Sequence, residues 1–367
     1  MANSVLKYFC ILLLSLFFSG INKADASFPA ESTYPTMTDY WNGKADWQLY
    51  YNRPVSNWHA SAGTSIRIVN GTWYWFQRYE KTGTGRLGTE CRKSGDKGQT
   101  WSEPVIVIAP SPNTPWSKVV TDGDFYYDAA ANKWRCLIQS LSDNSKVWTC
   151  SYFERAGADP MGLFTPPSGF TNPAIDNTEI WSRIPVKAAG KNRVYDEGTT
   201  QIVLQSGDEF YVTFHGAADF GKSVHGFRGI AKTTDFQNYI PLGCIMDEDD
   251  TNKWNVAWQG GSIGVGAATY LQEGNYWYTL IEGADKSLGG TDGQNWTFGL
   301  LRSTSLTSPK WENWSNNPVR QFAPHKLNLE WQYACLVKDG GVTYCAMNRA
   351  NPVSDRAFQI YKLVWNK

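Results

Sequence analysis

Along this chain apolar positions alternate with polar ones over short stretches rich in aromatic and β-branched residues. Gly, Asn, Asp and Pro break the stretches, and no long segment repeats its apolar residues at helical spacing. That is the pattern of a sandwich, barrel or propeller. One unit recurs: a strand, a turn with Gly or Asn, an aromatic strand, then a strand ending near a Ser/Thr-rich turn and a Trp or Tyr. Its copies are residues 64–76, closing at Trp101; 124–128 with 133–138, closing near Tyr152; 200–204, 209–214 and 229–239; 267–271, 275–281 and 299–311; and 331–337, 341–346 and 357–365. Five copies predict an all-β, five-bladed β-propeller, whose ring closure protects the blade edges. Residues 27–60 are expected to supply the lead-in and the ring-closing strand. The starts of the inner strands then converge at one mouth of an axial cavity.

The N-terminus changes the picture of where this domain begins. Lys7, the apolar run at 9–18 and Ala24-Asp25-Ala26 read as a signal peptide over residues 1–26. The run is too short to cross a bilayer as a helix. A single domain over 27–367 is therefore expected outside the cytoplasm, secreted or periplasmic, without membrane contact. Losing Lys7, Lys23 and Asp25 takes 34 positive and 34 negative side chains to 32 and 33. No basic face is implied, so nucleic acid is not an expected partner.

Aromatics are abundant, with 18 Trp, 19 Tyr and 17 Phe. Most must serve as cross-strand filling. Flat π-surfaces also stack on sugar rings, so carbohydrate is the partner this composition suits. Past residue 26 there are six cysteines, an even number suited to disulfides in an exported chain. Cys136 and Cys150 flank a turn, as do Cys335 and Cys345, which leaves Cys91 for Cys244 among 15 connectivities. No Cys-x-x-Cys zinc spacing occurs, and His59, His215, His225 and His325 show no metal-ligand spacing.

Ser94-Gly-Asp96-Lys-Gly98-Gln-Thr100-Trp101 matches the Asp-box pattern S-x-D-x-G-x-T-W. Ser94 and Asp96 suit backbone amides of a turn, and Gly98 suits a left-handed position. The motif is expected to be structural, between the outer strands of a blade. It resembles the boxes of sialidases, which carry several of them and an early Arg-Ile-Pro. Here one full box stands, and Arg183-Ile184-Pro185 follows it.

The blade openings resemble a different group, the five-bladed family 43 glycoside hydrolases and their arabinanase, arabinofuranosidase and xylosidase relatives. Thr121-Asp122-Gly123-Asp124-Phe125-Tyr126-Tyr127-Asp128 resembles that family's second-blade opening. Asp196-Glu197-Gly198-Thr199 resembles its third-blade opening, and 229–239 and 301–306 resemble its blade-end phrase. The resemblance spans most of the chain in layout, through short motifs. It implies a hydrolase of poly- or oligosaccharides, of inverting type where an acid and a base flank a water. Glu197 would be the acid, with Asp122 or Asp124 raising its pKa by like-charge repulsion. Trp58, His59, His225, Arg228, Trp258 and Glu282 are expected around the substrate, as is Trp254. Arg228, Arg302 and Arg349 could meet carboxylates at the mouth. A calcium ion on the axis would also follow from the resemblance, though no spacing calls for a cofactor or metal.

One departure stands out. The first-blade opening, residues 57–64, holds no carboxylate where the family has its base. Asp39, Asp46, Glu282 or His59 are the candidates to replace it. Without a base, the alternative is a propeller that binds sugar without cleaving it; a sialidase-like enzyme is the third reading.

Overall fold

The computed structural model describes residues 33–55, 65–81, 83–145, 147–175, 199–219, 224–246, 265–284, 296–319, 330–351 and 356–367. The chain divides into two units, 1–33 and 34–367, and every described strand lies in the second. A short helix α1 (Met37–Trp41) leads into β1 (Ala45–Pro54). Thr36 and Asp39 cap the helix reciprocally, each side chain accepting the other's backbone N–H. No described helix is long and apolar enough to cross a membrane.

The strands fall into five antiparallel blades. The first is β2 (Ser65–Val69), β3 (Thr72–Lys81), β4 (Arg86–Ser94) and β5 (Val105–Ile108). The second is β6 (Val119–Asp128), β7 (Lys133–Leu141) and β8 (Thr149–Ala156), with isolated pairings to Thr165 and Ile175 along its outer edge. One parallel contact, Leu87 with Val119, joins these two blades into a continuous sheet. The third is β9 (Gln201–Ser206), β10 (Glu209–Asp219), β11 (Val224–Thr233) and β12 (Ile240–Met246). The fourth is β13 (Val265–Glu273), β14 (Tyr276–Ala284), β15 (Trp296–Ser303) and β16 (Glu312–Asn313). The fifth is β17 (Glu330–Asp339), β18 (Val342–Asn351) and β19 (Ala357–Trp365), with β1 as its outermost strand. The N-terminal strand therefore completes the C-terminal blade, as expected of the lead-in segment.

Local chemistry makes the hairpins. Asn70 and Gly71 both sit at positive φ, 51° and 76°, between β2 and β3. Such a pair matches the twist of the flanking strands. The five apolar clusters of the core correspond to the five seams between neighbouring blades. Phe76 stacks on Phe125 between the first and second, with centroids 3.7 Å apart. Tyr152 stacks on Phe236 between the second and third at 4.3 Å. Ile230, Trp277 and Leu301 fill the third seam, and Tyr278, Leu336 and Met347 the fourth. Trp75 stacks on Phe358 at 3.8 Å between the fifth and first. Five seams for five blades is the signature of a complete ring, so the chain is a five-bladed β-propeller.

The expected disulfides do not form among the described residues. Register explains why. Leu336 lies opposite Cys345, so Cys335, one residue away, points to the other face. Cys345 accordingly packs in the seam between blades four and five, and Cys335 in that between five and one. Gln139 lies opposite Cys150, three residues from Cys136, and these two cysteines also face opposite seams. Cys91 packs between blades one and two, whereas Cys244 packs against the cluster between two and three.

Candidate functional site

The inner strands β2, β6, β9, β13 and β17 surround the axis. Ser65, Asp124, Gln201, Ala268 and Cys335, one from each blade, line its throat. The throat is narrow, with a free volume of about 20 Å3, room for one water. Just ahead of this layer the inner strands are irregular. Asp122, Thr199 and Tyr333 each precede the throat residue of their strand by two and each has positive φ, 59°, 46° and 57°. Pairing slips past Asp122 between Thr121 and Gly123, and past Tyr333 between Gln332 and Cys335. Left-handed backbone at non-glycine residues is strained and collects at functional mouths. Gly123 permits the slip, because a Cβ there would collide with the backbone of Ile138 and Leu137.

The bulges aim a buried polar network at the proximal mouth, where the inner strands begin. Arg78, at the mouth end of β3, donates from Nε to Asp122 Oδ1 at 2.7 Å and from Nη2 to Oδ2. The same Nη2 lies 2.6 Å from the Tyr333 hydroxyl. Burial pulls the Arg78 guanidinium down, but the Asp122 carboxylate outweighs it and raises its pKa above the ordinary arginine range. Burial pushes the Tyr333 phenol well up, so that it stays protonated. Glu282, buried near the end of β14, accepts the backbone N–H of Ala267 at 2.9 Å and that of Tyr333. It thus holds the fourth blade to the bulge of the fifth.

Asp124 is differently placed. Its carboxylate accepts Ser65 Oγ at 3.0 Å, the Arg67 guanidinium, Phe125 N at 2.9 Å and Ile202 N at 3.0 Å. Blades one, two and three meet on this one side chain. Across the fifth-to-first seam, Ile66 N donates to Cys335 Sγ at 3.3 Å.

Arg228, expected at the substrate, is fully buried instead. Nη1 and Nη2 donate to Thr199 O at 3.1 Å, Nη1 to Thr199 Oγ1 at 3.1 Å, and Nη2 to Thr213 Oγ1 at 2.9 Å. It clamps the left-handed Thr199 from within the third blade. Arg302 is off the mouth as well, sandwiched between Trp41 and Tyr276 and paired to Glu312. Of the candidate bases, Asp39 is consumed by the α1 cap and Asp46 bonds Trp47 N on the outermost strand of blade five. Neither faces the axis. Glu197, Trp58, His59, Trp254 and Trp258 lie outside the described residues, as does the side chain of His225.

Sequence reading missed Arg78 and Tyr333. Arg78 carried a signal, a charge at the end of the aromatic run Trp73-Tyr74-Trp75-Phe76. Tyr333 carried none, since a bulge cannot be read from one aromatic among many.

No three His, Cys, Asp or Glu side chains gather on the axis among the described residues, and Asp122 and Asp124 are each held by an arginine.

The Asp-box lies between β4 and β5. Ser94 Oγ accepts Gly98 N at 2.8 Å, Asp96 accepts Thr100 N at 2.8 Å and Thr100 Oγ1 at 2.6 Å, and Trp101 packs edge-on to Trp75. The turn is on the rim, remote from the mouth.

No protein-family model and no curated protein matches the chain. Solved structures do. A thermostable family-43 glycoside hydrolase aligns with TM-score 0.60 at 10% identity, over 87% of this chain and 96% of its own. An α-L-arabinofuranosidase from Lactobacillus brevis aligns with TM-score 0.57 at 12% identity, over 84% and 91%. A family 117 glycoside hydrolase from Zobellia galactanivorans aligns with TM-score 0.54 at 14% identity, over 88% and 90%. At such identities the likeness establishes the fold.

Proposed function

We propose that this chain is an exported glycoside hydrolase that cleaves a poly- or oligosaccharide at the proximal mouth, with Glu197 as general acid and Asp122 as the fixed carboxylate that tunes it. The observation that carries this reading is the Arg78–Asp122–Tyr333 network. It is a buried ion pair brought to the mouth by a strained bulge, in the blade next to the third, which Glu197 precedes in sequence. Between Asp122 and Asp124, the former fits the role. Asp124 is saturated by hydrogen bonds from three blades, whereas Asp122 stands at the opening. A carboxylate near Glu197 disfavours its ionisation and keeps it a proton donor to the leaving oxygen. With Asp39 and Asp46 on the periphery and Glu282 holding backbone amides, His59 is the remaining candidate to draw a proton from the attacking water. An inverting outcome would follow from that water.

The likeness to glycoside hydrolases supports the substrate class, and the leader read at residues 1–26 supports export. A non-catalytic sugar-binding propeller is the second reading, favoured by the missing carboxylate at 57–64. A sialidase-type mechanism is less well supported, because the chain carries one full Asp-box and its Arg183-Ile184-Pro185 follows that box.

The test is turnover of arabinan, xylan and aryl glycosides by the wild-type chain and by Glu197→Gln, Asp122→Asn and His59→Gln. A hydrolase loses about 10²–10⁴-fold in kcat on removal of its acid, with folding intact. Binding without turnover by every form would leave the lectin.

A further inference from the structure

Beyond the throat, on the side where the inner hairpins turn, the axis opens again. A chamber of about 460 Å3 lies between blades one to four. Asp124 and Gln201 belong to both its lining and that of the throat. The Asp124 hub, with Ser65, Arg67 and Ile202 N bound to it, therefore partitions the axis. Among the described residues, the throat between the proximal mouth and this distal chamber has space for about one water.

The chamber's chemistry is specific. Its one cation, Arg67, is neutralised by Asp124, so neither an anion nor a cation is called for. Arg67 also donates from Nε to Phe125 O and from Nη1 to Ile66 O, both at 2.8 Å, and from Nη1 to Cys335 Sγ at 3.6 Å. Thr269 Oγ1 is likewise taken, accepting Leu336 N at 3.0 Å. Besides the buried Tyr270 hydroxyl, three polar side chains are not taken. The Asn70 amide, the Tyr126 hydroxyl and the Gln201 amide line the chamber without a hydrogen-bond partner among the described residues. Beside them stand the rings of Tyr126 and Tyr270 and the aliphatic Ile68 and Val203. Burial also pushes the Tyr126 phenol up, keeping it a donor. Aromatic rings, amides and a hydroxyl, with no net charge, complement a neutral ring carrying several hydroxyls. The volume falls within the range of small-molecule sites and accommodates one or two such rings.

We infer that the distal chamber is a second binding site, for a neutral mono- or disaccharide, independent of the proximal mouth. Its placement rests on the chamber lining and does not depend on whether the mouth is catalytic. The experiment is titration of the full chain with D-xylose, L-arabinose and D-galactose, followed calorimetrically and by ligand-observed NMR. At least one sugar should bind saturably. Tyr126→Phe, which keeps the ring against Phe210, and Gln201→Ala should each weaken that binding about tenfold, the worth of one lost hydrogen bond. Asp122→Asn and Glu197→Gln should bind it as the wild type does. Unchanged thermal midpoints for Tyr126→Phe and Gln201→Ala establish that the loss is local. The inference is overturned if none of the three sugars binds saturably. It is equally overturned if binding survives Tyr126→Phe and Gln201→Ala but is lost in Glu197→Gln, which would locate it at the mouth.

Discussion

Arg78 reaches across the seam between blades one and two to hold Asp122 through both guanidinium nitrogens that face it, Nε at 2.7 Å from Oδ1 and Nη2 on Oδ2. Both side chains are nearly withdrawn from solvent, at 12% and 4% exposure, so neither charge is stable there alone. Arg78→Met should therefore cost about 3–5 kcal/mol, because it strands a buried carboxylate. Asp122→Asn combined with Arg78→Met should cost less than the sum of the two, since no charge is then left behind. Denaturant unfolding of the four proteins closes this cycle. On the proposed reading, the double variant should remain inactive even where its stability recovers.

Much of this was legible in the sequence, for physical reasons. Each blade declares itself through alternation and turn chemistry, and both are local. Asn70-Gly71 dictates a hairpin whatever surrounds it, and Ser94 to Trp101 folds its turn from its own hydroxyls and carboxylate. The mouth was only partly legible. Asp122 was singled out through its motif, but the arginine that holds it is 44 residues away, on a neighbouring blade. Arg228 was expected beside substrate and is buried instead, since nothing local says that a strand arginine turns inward to Thr199. The cysteines misled because spacing along a hairpin reports proximity in sequence, whereas a disulfide needs both side chains on one face.

Asp124 should prove structural. Asp124→Ala removes the acceptor for Ser65, Arg67 and Ile202 N together and leaves the Arg67 cation without its carboxylate. The expected loss is about 3–5 kcal/mol, seen as a lowered unfolding midpoint. Arg67→Met with Asp124→Asn should recover part of it. Asp122→Asn should likewise lower the midpoint, because it leaves the Arg78 cation buried without its carboxylate, and on the proposed reading it should abolish activity as well.

Arg228 should act on position as well as on stability. Arg228→Lys keeps a charge but cannot reproduce the fork that holds Thr199 and Thr213. Unpaired buried acceptors make a loss of about 1–3 kcal/mol the expected result. Thr199→Gly removes the penalty of the left-handed backbone and should restore part of that stability. If Glu197 is the acid, two residues upstream, Arg228→Lys should lower kcat with little change in KM. Steady-state kinetics beside urea unfolding separates the two effects.

The thiols give a direct chemical check. Cys335 and Cys345 face opposite seams, as do Cys136 and Cys150, so oxidation cannot join them without breaking a blade. All six cysteines from Cys91 to Cys345 should titrate with a thiol reagent in denaturant without reductant. Added reductant should leave the native unfolding midpoint unchanged. A count of four or fewer would mean that a bridge forms which these registers forbid.

The Asp-box predicts how stability depends on acidity. Thr100 donates to Asp96 through its hydroxyl and its backbone N–H, and Ser94 adds a further hydrogen bond. These bonds favour the charged form and hold the Asp96 carboxyl at about 2, below its ordinary 3.8. A pKa depressed in the folded state contributes stability that is complete above the unfolded value and disappears as pH falls through the folded one. The turn should thus lose its contribution between about pH 4 and pH 2, and alkaline conditions should leave it intact. Asp96→Asn cannot change charge, so its unfolding midpoint should lie below that of the wild type at neutral pH. The gap should narrow as the pH is lowered through this window, which thermal scans at matched ionic strength would reveal. A gap that stays constant to pH 2 would mean that the turn does not depend on the ionised carboxylate.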